Sequence, residues 1–175
     1  MPKGLIHVYT GEGKGKTTAA FGLAMRATGH NKKVLILQFL KGGSQNSGEA
    51  VAVKKFGIKI ITFKDQISPL FNPKADLTEL KRSVKESLKF TVEEVKSGSY
   101  NIIILDEFNN LLSSRLATMK DAKKIIESKP DNVELVFTGR NAPDELVDIA
   151  DYVTETRMIK HPFNKGRKAR KGIEF

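Results

Sequence analysis

Thr10-Gly11-Glu12-Gly13-Lys14-Gly15-Lys16-Thr17-Thr18 stands between the apolar run Leu5-Ile6-His7-Val8-Tyr9 and Ala19-Ala20-Phe21-Gly22-Leu23-Ala24. A strand, a glycine-rich turn and a helix opening on Lys-Thr-Thr are the parts of a nucleoside-triphosphate site. Backbone N–H groups of such a turn wrap phosphates, the lysine adds charge, and the first threonine hydroxyl reaches Mg²⁺. Glycine suits positions 11, 13 and 15 because the loop needs positive φ and close backbone approach. A Gly/Lys-rich turn alone is ordinary, but strand before, helix after and Lys-Thr-Thr together favour a phosphate site. The common loop reads G-x-x-x-x-G-K-[ST], whereas Gly11 to Thr17 reads G-x-x-x-G-K-T, one residue shorter. The shorter nest predicts nucleotide binding in a grip unlike that of a common phosphotransferase. A dinucleotide fingerprint fails, since G-x-G-x-x-G from Gly11 needs glycine where Lys16 stands.

Outward from the loop, apolar runs alternate with helical patterns, the signature of βαβ units and a mostly parallel sheet. Strands are expected at Gly4–Tyr9, Val34–Phe39, Ile58–Phe63, Asn101–Leu105, Val133–Phe137 and Tyr152–Glu155. Several are nearly continuous Val/Ile/Leu, as strands covered on both faces should be. Helices are expected at Thr17–Thr28, stopping at Gly29-His30-Asn31, and at Gly48–Phe56, Phe108–Leu116, Thr118–Ser128 and Pro143–Ile149. The clearest runs from Asp76 to Ser97, with Leu77, Leu80, Val84, Leu88, Val92 and Val95 as its core stripe. Asp76 and Glu79 resemble a capping box, and Gly98 is the stop. The fold class is α/β, a three-layer P-loop NTPase-like arrangement with about six strands. Residues 1–175 are expected to form one domain.

The net charge is +10, from 30 basic and 20 acidic side chains, which predicts attraction to anions. Arg157 to Lys171 holds seven Lys/Arg and no acidic residue, so the segment 157–175 reads either as a solvated tail or as an anion-binding lid. No run of about 18 apolar residues suggests a membrane span. The start enters strand character too early for a signal or transit peptide. With no cysteine and three scattered histidines, thiolate or His-based metal sites are not expected, and a cytoplasmic location is.

Ile102-Ile103-Ile104-Leu105-Asp106-Glu107 is an apolar strand ending in two carboxylates. Beside a phosphate loop, such a pair reads as the second metal-binding element, because Mg²⁺ takes oxygen ligands. Spacing leaves open which carboxylate touches the metal. Thr138-Gly139-Arg140 falls on the same sheet edge, where Arg140 reads equally as an anion clamp or a surface residue. Two loops, Lys41–Gly48 and Lys64–Ala75, lie on the crossovers where open α/β sheets place ligands.

Taken together, Y-T-G-E-G-K-G-K-T-T-A-A-F-G-L-A-M-R-A-T-G-H, V-L-I-L-Q-F-L-K-G, I-I-L-D-E, F-T-G-R-N-A-P, A-D-Y-V-T-E and K-H-P-F-N-K-G-R-K-A-R-K-G-I-E-F resemble the P-loop class of ATP:corrinoid adenosyltransferases. The resemblance runs from Gly4 to Phe175 with a gap in the middle. It implies transfer of the 5′-deoxyadenosyl group of ATP to Co(I) of a reduced corrinoid, with release of triphosphate. It further implies that ATP lies reversed in the loop, with C5′ rather than Pγ at the reaction centre. By motif, Gly11, Glu12, Gly13, Lys14, Gly15, Lys16, Thr17 and Thr18 would hold the triphosphate, with Lys16 countering its charge. Thr17 and Glu107 match the family's contacts to Mg²⁺ (or Mn²⁺), with Asp106 beside them. Arg26 would contact the nucleoside. Gln38 and Lys41 match without an assigned role.

The resemblance also implies a homodimer and a reductant that supplies Co(I). Two departures stand out: family members often carry an N-terminal helical extension where this sequence starts almost at the first strand, and the F-T-W segment of the corrin face is replaced by Ile61-Thr62-Phe63-Lys64-Asp65-Gln66. Phe63, Leu70 or Phe71 is the expected substitute. Competing readings are a P-loop ATPase or phosphotransferase, a nucleotide-dependent nucleic-acid-binding protein and a corrinoid chaperone. The nucleic-acid reading is opposed by the absence of Trp and of aromatic–basic interleaving.

Overall fold

The computed structural model describes residues 3–42, 48–67, 76–162 and 166–173. Strands β1 (Ile6–Thr10), β2 (Val34–Gln38), β3 (Lys59–Thr62), β4 (Ile102–Asp106), β5 (Glu134–Thr138) and β6 (Tyr152–Glu155) form one sheet. Their order is β3-β2-β4-β5-β1-β6, and every pairing is parallel. Helices α1 (Lys16–Thr28), α2 (Gly48–Lys55), α3 (Leu77–Lys96), α4 (Phe108–Ser113), α5 (Met119–Glu127) and α6 (Asp144–Ile149) fill the crossovers. Among the described residues no helix is long and apolar enough to cross a membrane.

The strands' alternation sorts the core into two halves. Leu35, Leu37, Ile103, Leu105, Leu135 and Phe137 pack with α3, α5 and α6. Val34, Ile36, Ile102, Ile104 and Val136 face the other way, onto Ala20, Phe21 and Ala24 of α1 and Val53 of α2. Both faces are covered, so β2 and β4 are buried at every residue and read as apolar runs up to their last residues, Gln38 and Asp106. This is the three-layer α/β architecture expected.

Helix ends show where local signals held. Asp76 caps α3 by accepting from the N–H groups of Thr78 and Glu79, while the Glu79 carboxylate turns to Arg82 instead of closing a capping box. Gly98 supplies the left-handed stop at φ 63°. At the end of α1 the left-handed residue is Asn31, φ 58°, and not Gly29. Of the stripe read as core, Leu80, Val84 and Val95 are buried and Leu88 and Val92 pack against them, while Leu77 is 55% exposed; the buried face also takes in Ser83, Ser87 and Thr91. These hydroxyls are tolerated there because Ser87 and Thr91 donate back to the carbonyls of Val84 and Ser87.

Register brings the site together. Tyr9 lies beside Thr138, Leu105 beside Phe137, and Gln38 beside Asp106. The carboxyl ends of β1, β2, β4 and β5 therefore form one edge, with α1 rising from it.

Candidate active site

Gly11 and Gly15 adopt φ 97° and 118°, a region that side chains rarely enter, and Gly15 opens α1 without any side-chain cap. An uncapped helix start behind a glycine loop presents N–H groups to an anion. Gly13 is needed for a different reason: a Cβ there would lie 2.8 Å from the Thr156 carbonyl. The chain just past β6 is sewn to the loop, with Gly13 N–H donating to Thr156 O at 2.7 Å and the Thr156 hydroxyl donating to Thr10 O and Gly13 O. Lys16 Nζ donates to the carbonyls of Gly11 and Gly13 at 2.6 and 2.7 Å. Burial, then the charge of Arg140, pull its pKa down despite Glu107 and Glu12. Lys14 Nζ reaches Ile173 O at 2.7 Å, so the basic C-terminal segment meets the loop.

Asp106 is wholly buried and is the hub of the site. Its Oδ1 accepts from the hydroxyls of Thr17 (2.9 Å) and Thr138 (2.7 Å). Its Oδ2 accepts from Lys41 Nζ (2.6 Å) and the Gln38 amide (3.1 Å). Burial alone would raise its pKa, but the Lys41 charge and these donors outweigh it and hold the carboxyl below its usual range. Both oxygens are thus already engaged, and Thr17 is aimed by Asp106.

Glu107 differs. It caps α4 at φ 67°, an unusual conformation for glutamate, with its N–H donating to the Thr138 hydroxyl and its Oε2 accepting from Asn110 at 2.6 Å. Burial, then repulsion from Asp106, raise its pKa. Asn110 also accepts the Arg140 N–H at 2.6 Å, and Arg140 pairs with Glu12 at 2.9 Å. Arg140 is therefore brought to the phosphate loop. Among the described residues no three His, Cys, Asp or Glu side chains cluster as a ready metal cage. The Thr17 hydroxyl and Glu107 carboxylate are hard oxygen donors beside the loop, a set that fits Mg²⁺ arriving with phosphates and water.

Thr18 and Arg26 are exposed on α1, and the charge of Arg26 is felt at the half-buried Tyr9 ring. Phe63 is half-buried and packed on Phe39 and Phe90, part of an aromatic row that continues through Phe108 to Phe137. It serves the core beneath the edge. Leu70 and Phe71 lie outside the described residues. Gln38, Lys41, Thr138 and Asn110 were not assigned roles from the sequence. Only the matching Q-F-x-K-G and T-G-R stretches hinted at the first three.

A family model described as ATP:corrinoid adenosyltransferase BtuR/CobO/CobP matches residues 2–175. A corrinoid adenosyltransferase of Sinorhizobium sp is 34% identical over 99% of this chain and 81% of its own. The corrinoid adenosyltransferase of Escherichia coli K12 is 32% identical over 99% of this chain and 86% of its own. The corrinoid adenosyltransferase CobA of Salmonella typhimurium LT2 is 31% identical over the same shares. With residues 2–175 matched by that family model, the chain belongs to the ATP:corrinoid adenosyltransferase family.

Proposed function

We propose that this protein is a transferase that moves the 5′-deoxyadenosyl group of ATP onto Co(I) of a corrinoid, in adenosylcobalamin synthesis or salvage. The observation that carries this reading is the meeting of Gly11–Thr18, Thr17 and the Asp106–Glu107 pair at one edge, in a chain matched to the family over its length. The electron pair of Co(I) forms the Co–C5′ bond, the C5′–O bond breaks, and its electrons leave on triphosphate. The nucleophile is thus the second substrate's own metal. The protein's share is to hold C5′ in line and to stabilise the charge growing on triphosphate.

Gly11, Glu12, Gly13, Lys14 and Gly15 would cradle the triphosphate, with Lys16 exchanging its two carbonyl partners for phosphate oxygens. Thr18 lies at the start of α1, and Arg26 would contact the nucleoside. Thr17 and Glu107 would hold Mg²⁺ or Mn²⁺, with Asp106 orienting Thr17; the ion would add positive charge against the leaving triphosphate. Arg140, tied to Glu12 and Asn110, is placed to join that cluster. A homodimer, a cytoplasmic location and a separate reductant for the corrinoid belong to the same proposal. The phosphotransferase and nucleic-acid readings are not favoured by the family.

The test is anaerobic: purified protein, MgATP and chemically reduced corrinoid, followed by visible spectroscopy. The expected result is conversion to a light-sensitive Co–C product. An unchanged Co(I) spectrum with ATP present would contradict the reading.

A further inference from the structure

We propose that Lys41 is a positioning residue of the metal–phosphate site, acting on the nucleotide through Asp106 and held in place by Gln66. The inference rests on the reading of Thr17 and Glu107 as the divalent-ion contacts. Lys41 Nζ sits 2.6 Å from Asp106 Oδ2. That bond, with the one from Gln38, fixes the carboxylate so that Oδ1 receives Thr17. A hydroxyl that donates to Asp106 keeps its lone pairs for a cation.

The backbone is bent to make this contact. Leu40, buried just before Lys41, stands at φ 53°, a left-handed conformation that costs a bulky residue on the order of 1 kcal/mol. Backbone pairing of the next two residues holds the strain in place. Lys41 pairs with Ile67 in an antiparallel bridge, and Gly42 N–H donates to Gln66 O at 2.8 Å. A Cβ on Gly42 would come within 2.2 Å of Lys64 O, so the two segments lie backbone to backbone. Gln66 is 0% exposed, and its amide donates to Ser83 O (3.2 Å) and Ser87 Oγ (2.7 Å) of α3. Segments 39–42 and 63–67 are thereby moored to α3 at one end and to Asp106 at the other. The small polar stripe on α3 has this use: it receives Gln66.

Mn²⁺ binding in the presence of ATP, read by electron paramagnetic resonance on the full chain, tests the assignment with thermal melts alongside. Lys41→Met and Asp106→Asn are each expected to weaken Mn²⁺·ATP binding about tenfold or more. The Lys41→Met/Asp106→Asn double variant, which has neither charge to strand, is expected to bind no more weakly than Asp106→Asn alone. Gly42→Ala, which shifts the loop and keeps every charge, is expected to weaken binding in the same direction. Independent, multiplying losses in the double variant would mean that Lys41 touches the nucleotide itself and would overturn the proposal. Wild-type-like binding by Gly42→Ala would overturn the mooring through Gln66. Failure of the unaltered protein to bind Mn²⁺·ATP would instead sink the reading of the site on which this rests.

Discussion

Asp106 is a carboxylate without exposed surface, stabilised by one ammonium, two hydroxyls and one amide. Asp106→Asn leaves Lys41 beside a neutral group, and urea unfolding should show a loss of about 2 kcal/mol. That is less than a fully buried pair would lose, because the Lys41 side chain is 25% exposed. The depressed carboxyl sets the sign of the pH effect. Its stabilisation is present above the unfolded value of about 3.9 and is lost as pH falls through the lower folded value. Asp106 therefore adds no slope between pH 5 and 7, by this reference value. Glu107 runs the other way, since burial and then Asp106 raise it. Its contribution is full below its unfolded value of about 4.3 and is lost as pH rises through the higher folded value. Glu107→Gln should therefore make the nucleotide-free protein more stable at pH 7 and lessen the loss of stability as pH rises above about 4.3. If Glu107 holds the divalent ion as proposed, the same change should lower kcat/KM about a hundredfold. Urea midpoints across pH and steady-state rates check the two halves.

At the scale of elements, each glycine of the phosphate loop has its own sensitivity. Gly13→Ala drives a Cβ into the Thr156 carbonyl and should part the loop from the end of β6, costing about 1–3 kcal/mol and weakening ATP binding. Asp76→Ala, which uncaps α3 far along the chain from the loop, should cost about 1 kcal/mol and leave ATP affinity unchanged. Melting curves and nucleotide titrations separate them. The strands were legible in the sequence within one or two residues because helices cover both faces, making β2 and β4 nearly continuous apolar runs. The phosphate loop and Asp106-Glu107 were legible because each is a local motif at a strand end. Lys41, Gln38, Thr138 and Asn110 were not, since their roles exist only once β2, β4 and β5 lie side by side. The apolar stripe of α3 was legible apart from Leu77, and the polar part of its buried face was not, for a related reason. Leu77 sits in an exposed first turn, and Ser83, Ser87 and Thr91 look like solvent residues until Gln66 is found against them.

Over the whole molecule, the +10 charge concentrates cations where the site needs an anion: Lys14, Lys16, Lys41 and Arg140 surround one edge, and the basic C-terminal segment touches it through Ile173 and Lys14. The exposed Arg140–Glu12 pair adds little to stability, and its place beside the loop matters more. Long-range attraction of this kind is screened beyond about 10 Å at 0.1 M salt. The KM for ATP should therefore rise several-fold between about 0.05 and 0.5 M salt while kcat holds. Steady-state rates at graded ionic strength check it. The central claim is that the bond broken in ATP lies at C5′ and not at Pγ. The most direct test is the phosphate product formed from ATP with reduced corrinoid, separated by ion-exchange chromatography or read by phosphorus NMR. Intact triphosphate, one for each corrinoid alkylated, is the expected product; ADP with orthophosphate or a phosphorylated acceptor would contradict cleavage at C5′.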